Sequence, residues 1–199
     1  MASASDPNRG LLLVISGPSG VGKSTITRAL ERRLGGVFSV SATTRPRAEG
    51  EVEGRDYCFR SDLEFQQLAD EGAFLEQAQV YGEYRYGTPR EPVERQVASG
   101  KLVILDIDVQ GARQVKQAMP DALTLFIMPP SDDELLRRLR ERRRENESSI
   151  QRRFDEAKRE IAFAKGSSVY DAHIVNDELE RAIDDACCLI NHRRTMNQG

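Results

Sequence analysis

A nine-residue string near the start of the chain, Gly17-Pro18-Ser19-Gly20-Val21-Gly22-Lys23-Ser24-Thr25, restricts the fold more than any other stretch. It satisfies G-x-x-x-x-G-K-[ST], a phosphate-binding loop that belongs between a β-strand and a helix. Both flanks are in place. Leu11-Leu12-Leu13-Val14-Ile15-Ser16 is a continuous apolar run of the kind buried in a parallel sheet. After the loop, Ile26, Ala29, Leu30 and Leu34 recur at helical spacing. Glycines at 17, 20 and 22 let successive N–H groups turn inward around an anion where a Cβ would obstruct them. The helix adds its free N–H groups and the positive end of its dipole. Lys23 is then expected to reach β- and γ-phosphates, and Ser24 to offer a hydroxyl ligand to Mg²⁺.

The rest of the chain repeats the strand-then-helix rhythm. Leu102-Val103-Ile104-Leu105-Asp106-Ile107-Asp108 and Leu123-Thr124-Leu125-Phe126-Ile127-Met128 are further apolar strands, and residues 37–41 and 173–176 read as shorter ones. Helices are expected over 91–98, 110–119 and 179–192, with a long Arg- and Glu-rich helical region from Ser131. Strands separated by helices mean a parallel α/β sheet with helices on both faces. Between about 41 and 96 the pattern breaks. There a short helix around Leu63, Phe65, Leu68 and Ala69, capped by Ser61-Asp62, and a strand over 74–81 suggest an inserted subdomain of antiparallel character.

At 199 residues the chain holds one domain with a full core. Its formal net charge of −3 leaves no overall electrostatic footprint for nucleic acid. No apolar stretch approaches the ~20 residues of a membrane span, and residues 1–10 lack the apolar segment of a secretory signal. Cys58, Cys187 and Cys188 are odd in number and include an adjacent pair. That argues against a disulfide framework and for reduced, cytoplasmic thiols packed as small hydrophobes.

Asp106 and Asp108 sit where open α/β sheets bind ligands, at the carboxyl end of a buried strand. An acid there commonly supports Mg²⁺ beside a phosphate loop. Residues 41–57 mix hydroxyls, Arg45, Arg47 and Tyr57, a composition suited to a second anion site, though equally to a solvated loop. Arginines at 137, 138, 140, 142, 143, 144, 152 and 153 alternate with Glu134, Glu141, Glu145 and Glu147. They read as a salt-bridged solvated face or as a lid that closes on phosphates.

Together with the phosphate loop, a collinear set of motifs resembles guanylate kinase over about residues 11–192. The set comprises Ser41-x-Thr43-Thr44-Arg45, Gly54-x-x-Tyr57-x-Phe59, Phe74-x-Glu76, Tyr86-Gly87-Thr88, Leu105-Asp106-Ile107-Asp108-x-Gln110-Gly111 and Ile174-Val175-Asn176-Asp177. The resemblance implies ATP-dependent phosphorylation of GMP or dGMP in purine nucleotide metabolism, with Mg²⁺ as cofactor. It implies a core over 10–40, 97–134 and 157–199, a monophosphate-binding subdomain over 41–96 and a helical lid over 135–156. It assigns ATP to residues 17–25 (Gly17, Pro18, Ser19, Gly20, Val21, Gly22, Lys23, Ser24 and Thr25), with Arg142 and Asn176, and catalysis to Lys23, Arg45, Arg138 and Arg153. The GMP phosphate falls to Arg45, Arg47, Tyr57 and Tyr86, and guanine to Ser41, Glu76, Thr88 and Asp108. Metal support falls to Ser24 and to Asp106 through water. Two spacings depart from the family pattern: Arg45-Pro46-Arg47 replaces Arg-x-x-Arg, and Tyr84-Arg85-Tyr86-Gly87 is one residue longer than Tyr-Tyr-Gly. A kinase of a phosphorylated sugar and a catalytically silent protein-binding module are the rival readings. Nucleic acid and membrane are not expected partners, and a homo-oligomer stays open.

Overall fold

The computed structural model describes residues 10–80, 83–141 and 146–196. In chain order the elements are β1 (Leu11–Ser16), α1 (Lys23–Leu34), β2 (Val37–Phe38), β3 (Ala42–Thr43), β4 (Cys58–Phe59), α2 (Asp62–Asp70), β5 (Phe74–Val80), β6 (Tyr84–Pro89), α3 (Arg90–Ala98), β7 (Leu102–Asp106), α4 (Val109–Ala118), β8 (Leu123–Met128), α5 (Asp132–Glu141), α6 (Glu147–Gly166), β9 (Ala172–Val175) and α7 (Leu179–Met196). The apolar runs form the centre of a five-stranded parallel sheet in the order β2-β7-β1-β8-β9.

Alternation along each strand divides the core into two layers. Leu11, Leu13 and Ile15 point with Ile104, Leu125 and Ile127 toward Ile26 and Leu30 of α1 and Ile183 and Ile190 of α7. Leu12, Val14, Val103, Leu105 and Phe126 point the other way, onto Val93 and Val97 of α3, Ala112 and Val115 of α4 and Ala164 of α6. Every side chain of β1 is buried, as a strand covered on both faces requires. The fold class expected from the sequence is thus observed.

Residues 41–96 contain a second sheet in the order β4-β3-β6-β5. It is only partly antiparallel, because β3 and β4 run parallel. Strand β6 was not legible in the pattern: Gly87 and Pro89 both disfavour strands, yet Tyr86 and Thr88 pair with Ala78 and Glu76 of β5. Helix α2 begins at the expected cap, where Ser61 and Glu64 close a reciprocal capping box. The Arg-rich region is two helices, α5 and α6, sharing a small core of Leu135, Leu139, Ile150 and Ala157. Helix α6 runs unbroken across position 157 and reaches the main core at Ile161 and Ala164. The three cysteines are free, and Cys188 is exposed where the sequence suggested packing. No described helix is long and apolar enough to cross a membrane.

Candidate active site

The phosphate loop closes around a cavity of about 190 Å³ lined by Pro18, Ser19, Gly20, Gly22, Lys23, Ser24 and Thr25. Its curvature depends on left-handed backbone at Gly22 (φ 98°), the residue that caps α1. Gly17 is needed for space as well, since a Cβ there would stand 2.4 Å from the Ile127 carbonyl oxygen. Val21 turns its side chain fully into the core, so only its backbone can face a ligand. Lys23 Nζ donates to the carbonyls of Gly17 and of Pro18, the second at 3.2 Å, which holds the ammonium at the loop.

Beneath the loop, Asn176 Nδ2 donates to the Val21 carbonyl at 2.8 Å. The Asn176 carbonyl in turn accepts from Arg138 Nη2 at 3.0 Å, while Arg138 Nε donates to Glu134 Oε1 at 2.7 Å. Arg153 of α6 donates to the Ser19 hydroxyl. Two arginines of the expected lid are therefore already tied to the loop, one directly and one through Asn176. Leu139 of α5 packs beside Gly20, its Cδ2 lying 3.1 Å from where a Cβ would be. Arg142 lies outside the described residues. The interleaved charges behave partly as a solvated face: Arg137 pairs with Glu134 and Glu141, and Arg140 with Glu147.

Asp106 ends β7 and opens onto a cleft of about 510 Å³ that also includes Ser24, Arg28, Ser41, Arg55 and Tyr57. The surrounding protein pushes its carboxyl above the ordinary range, while Lys23 and a hydrogen bond with Ser24 draw it back. A hydroxyl and a carboxylate are the hard oxygen donors Mg²⁺ prefers, few enough that the ion would keep waters and phosphate oxygens. Asp108, by contrast, caps α4: its Oδ1 accepts from the Gly111 N–H at 2.7 Å.

On the insert, Arg45 is held by several groups, among them Glu51, Tyr86 and Tyr57. Its Nη2 donates to Glu51 Oε1 at 2.6 Å, Tyr86 hydrogen-bonds it, and its guanidinium lies 5.3 Å from the Tyr57 ring centre. Tyr57 and Tyr86 meet edge to face at 5.9 Å. Arg47 is exposed on the neighbouring loop and does not join this group. Ser41 lines the cleft itself. Behind it lies a buried pair: the Thr88 hydroxyl donates to Glu76 Oε1 at 2.6 Å, with Glu76 and Thr88 only 6% and 1% exposed. Burial raises the Glu76 carboxyl, Thr88 opposes that rise and Asp108 adds to it. Thr88 thus directs its proton at the Glu76 carboxylate.

Three participants escaped the sequence. Glu51 neutralises Arg45 from a loop rich in acids. Glu160, in mid-helix, is raised to about 7 by burial, with Lys23 lowering it and Glu156 and Asp108 raising it. Gln114 of α4 reaches the backbone of β5. Polar residues in helices read as solvated, so no local signal marked the last two.

A parallel sheet that delivers a phosphate loop beside a second cleft is the arrangement of a P-loop kinase. The guanylate kinase family model matches residues 9–193. Guanylate kinase of Thermosynechococcus vestitus is 50% identical over 184 residues, 92% of this chain and 94% of that protein. The Nostoc guanylate kinase is 48% identical over 179 residues, 89% of this chain and 88% of its own length. The crystal structure of guanylate kinase from Anaplasma phagocytophilum superimposes with a TM-score of 0.71 at 34% identity, covering 96% of this chain and 89% of that one. The chain belongs to the guanylate kinase family.

Proposed function

We propose that the enzyme transfers the γ-phosphoryl group of ATP to the phosphate of GMP or dGMP, giving GDP or dGDP and ADP. The observation that carries this reading is the buried Glu76–Thr88 pair, with the Thr88 hydroxyl donating to Glu76 Oε1. Guanine offers two N–H donors, at N1 and N2, and a carboxylate fixed by Thr88 accepts both. Adenine lacks the N2 amine and reverses the polarity at position 6, so it leaves Glu76 unpaired. A mismatch of that kind can reach ~10⁴-fold.

The reaction needs no protein nucleophile. The acceptor phosphate is largely dianionic at neutral pH because its second pKa is about 6. Arg45, Tyr57 and Tyr86 receive that phosphate, joined by Arg47 from its exposed position, while Ser41 and Asp108 border the base. The loop amides and Lys23 hold the donor phosphates, and Arg138 and Arg153 add charge from the lid helices. The family resemblance gives Arg142 to the adenine of ATP. Catalysis is then positioning plus electrostatics in a site closed to water. Ser24 and Asp106 would hold Mg²⁺, which when bound neutralises phosphate charge. The reading places the enzyme in purine nucleotide metabolism, in the cytoplasm.

A coupled assay with ATP and Mg²⁺ across GMP, dGMP, AMP, CMP and UMP tests it. Turnover confined to the guanine nucleotides is expected, and equal rates with AMP would refute it. Lys23→Ala should retain its fold and lose at least about 10²–10³-fold in kcat.

A further inference from the structure

Strand β5 is the outer strand of the insert's sheet, with β6 on one side and helix α4 of the core on the other. At Gln77 the backbone meets a side chain in place of another strand. Gln77 N–H donates to Gln114 Oε1 at 3.1 Å, and Gln114 Nε2 donates to the Gln77 carbonyl at 3.0 Å. The Gln114 amide therefore does what a neighbouring peptide group would do, satisfying a donor and an acceptor of one residue together. The preceding residue in β5 is Glu76.

Gly111 lies three positions before Gln114, on the same face of α4. It is not among the glycines with positive φ, so backbone conformation does not explain it. Space does. A Cβ on Gly111 would stand 2.9 Å from Glu76 Oε2 and 3.3 Å from Ile107 Cδ1. The turn that carries Gly111 is fixed by the Asp108 carboxylate, which accepts its N–H.

We propose that α4 is the positioning element for the base-reading carboxylate: Gln114 grips β5 one residue from Glu76, and Gly111 leaves the space into which that carboxylate fits. The proposal rests on the reading of Glu76 as the guanine acceptor. It makes base recognition a joint property of insert and core: the insert carries the carboxylate, and a core helix fixes its oxygens.

The test uses the full chain with saturating ATP, GMP as substrate and inosine monophosphate, which lacks the N2 amine, as comparison. Gln114→Ala should raise KM for GMP by about tenfold, the effect of a mis-set contact of ordinary strength. Its kcat and KM for ATP should stay within about twofold, and its preference for GMP over inosine monophosphate should fall. Gly111→Ala should show the same loss, because its Cβ would displace Glu76 Oε2. Glu76→Gln separates the two layers of the argument. If Glu76→Gln loses the preference while both α4 variants keep it, the clamp is overturned. If Glu76→Gln keeps the preference, the reading of Glu76 falls and the clamp with it. A parallel loss of kcat, ATP affinity and GMP affinity in both α4 variants is general loosening and also overturns the proposal.

Discussion

Single side chains in this protein are set by what faces them more than by their type. Arg45 could serve any anion, but Glu51 and Tyr86 pin it in the cleft with its guanidinium turned to Tyr57. Glu160 shows the same principle with a measurable consequence. Its carboxyl rises from an ordinary 4.5 to about 7, chiefly through burial. An acid whose folded pKa is raised favours folding in its protonated form, so its contribution is present below the unfolded value and lost as pH climbs through the folded one. Replacing it by Gln should therefore leave stability unchanged near pH 4 and stabilise the protein by about 1–3 kcal/mol at pH 8. Denaturant melts at the two pH values check this, and a variant no more stable at pH 8 would show that the carboxylate is ionised there without penalty.

The secondary elements differ in how much of themselves they disclose. Strands β1, β7 and β8 were legible because a strand buried on both faces must be apolar throughout, and α1 because its buried stripe follows a sharp loop signal. Strand β6 was not, since its pairing with β3 and β5 overrides the poor propensity of Gly87 and Pro89. That gap hid the geometry of Tyr86 and Thr88, which only the motif resemblance singled out. The phosphate loop could be read in full, but the contacts that brace it could not. Asn176, Arg138 and Leu139 come from distant segments, and sequence spacing carries no record of such meetings. Leu139 is 2% exposed and touches both the lid core and the loop at Gly20. Leu139→Ala should cost about 2–5 kcal/mol of stability and raise KM for ATP while sparing KM for GMP. Equal changes in the two KM values would argue against a specific brace on the loop.

At the scale of the molecule, the proposed reading puts the donor groups on the main sheet and its two lid helices, and the acceptor groups mainly on the insert. Hydrogen exchange should register that division. GMP should slow amide exchange in β3, β5 and β6, and a non-hydrolysable ATP analogue should slow it in the phosphate loop, α5 and α6. Both ligands together should protect each region beyond either alone, whereas simple additivity would mean that the halves bind independently. The α4–β5 seam between them also covers part of a sheet edge. A strand with bare peptide groups along one side is a template for cross-chain pairing, the first step toward aggregates. Seven-residue β5 is the longest strand among the described residues and lies at a sheet margin. The side-chain amide of Gln114 occupies that margin at its midpoint, so the proposed clamp also covers peptide groups that a strand edge would otherwise leave bare.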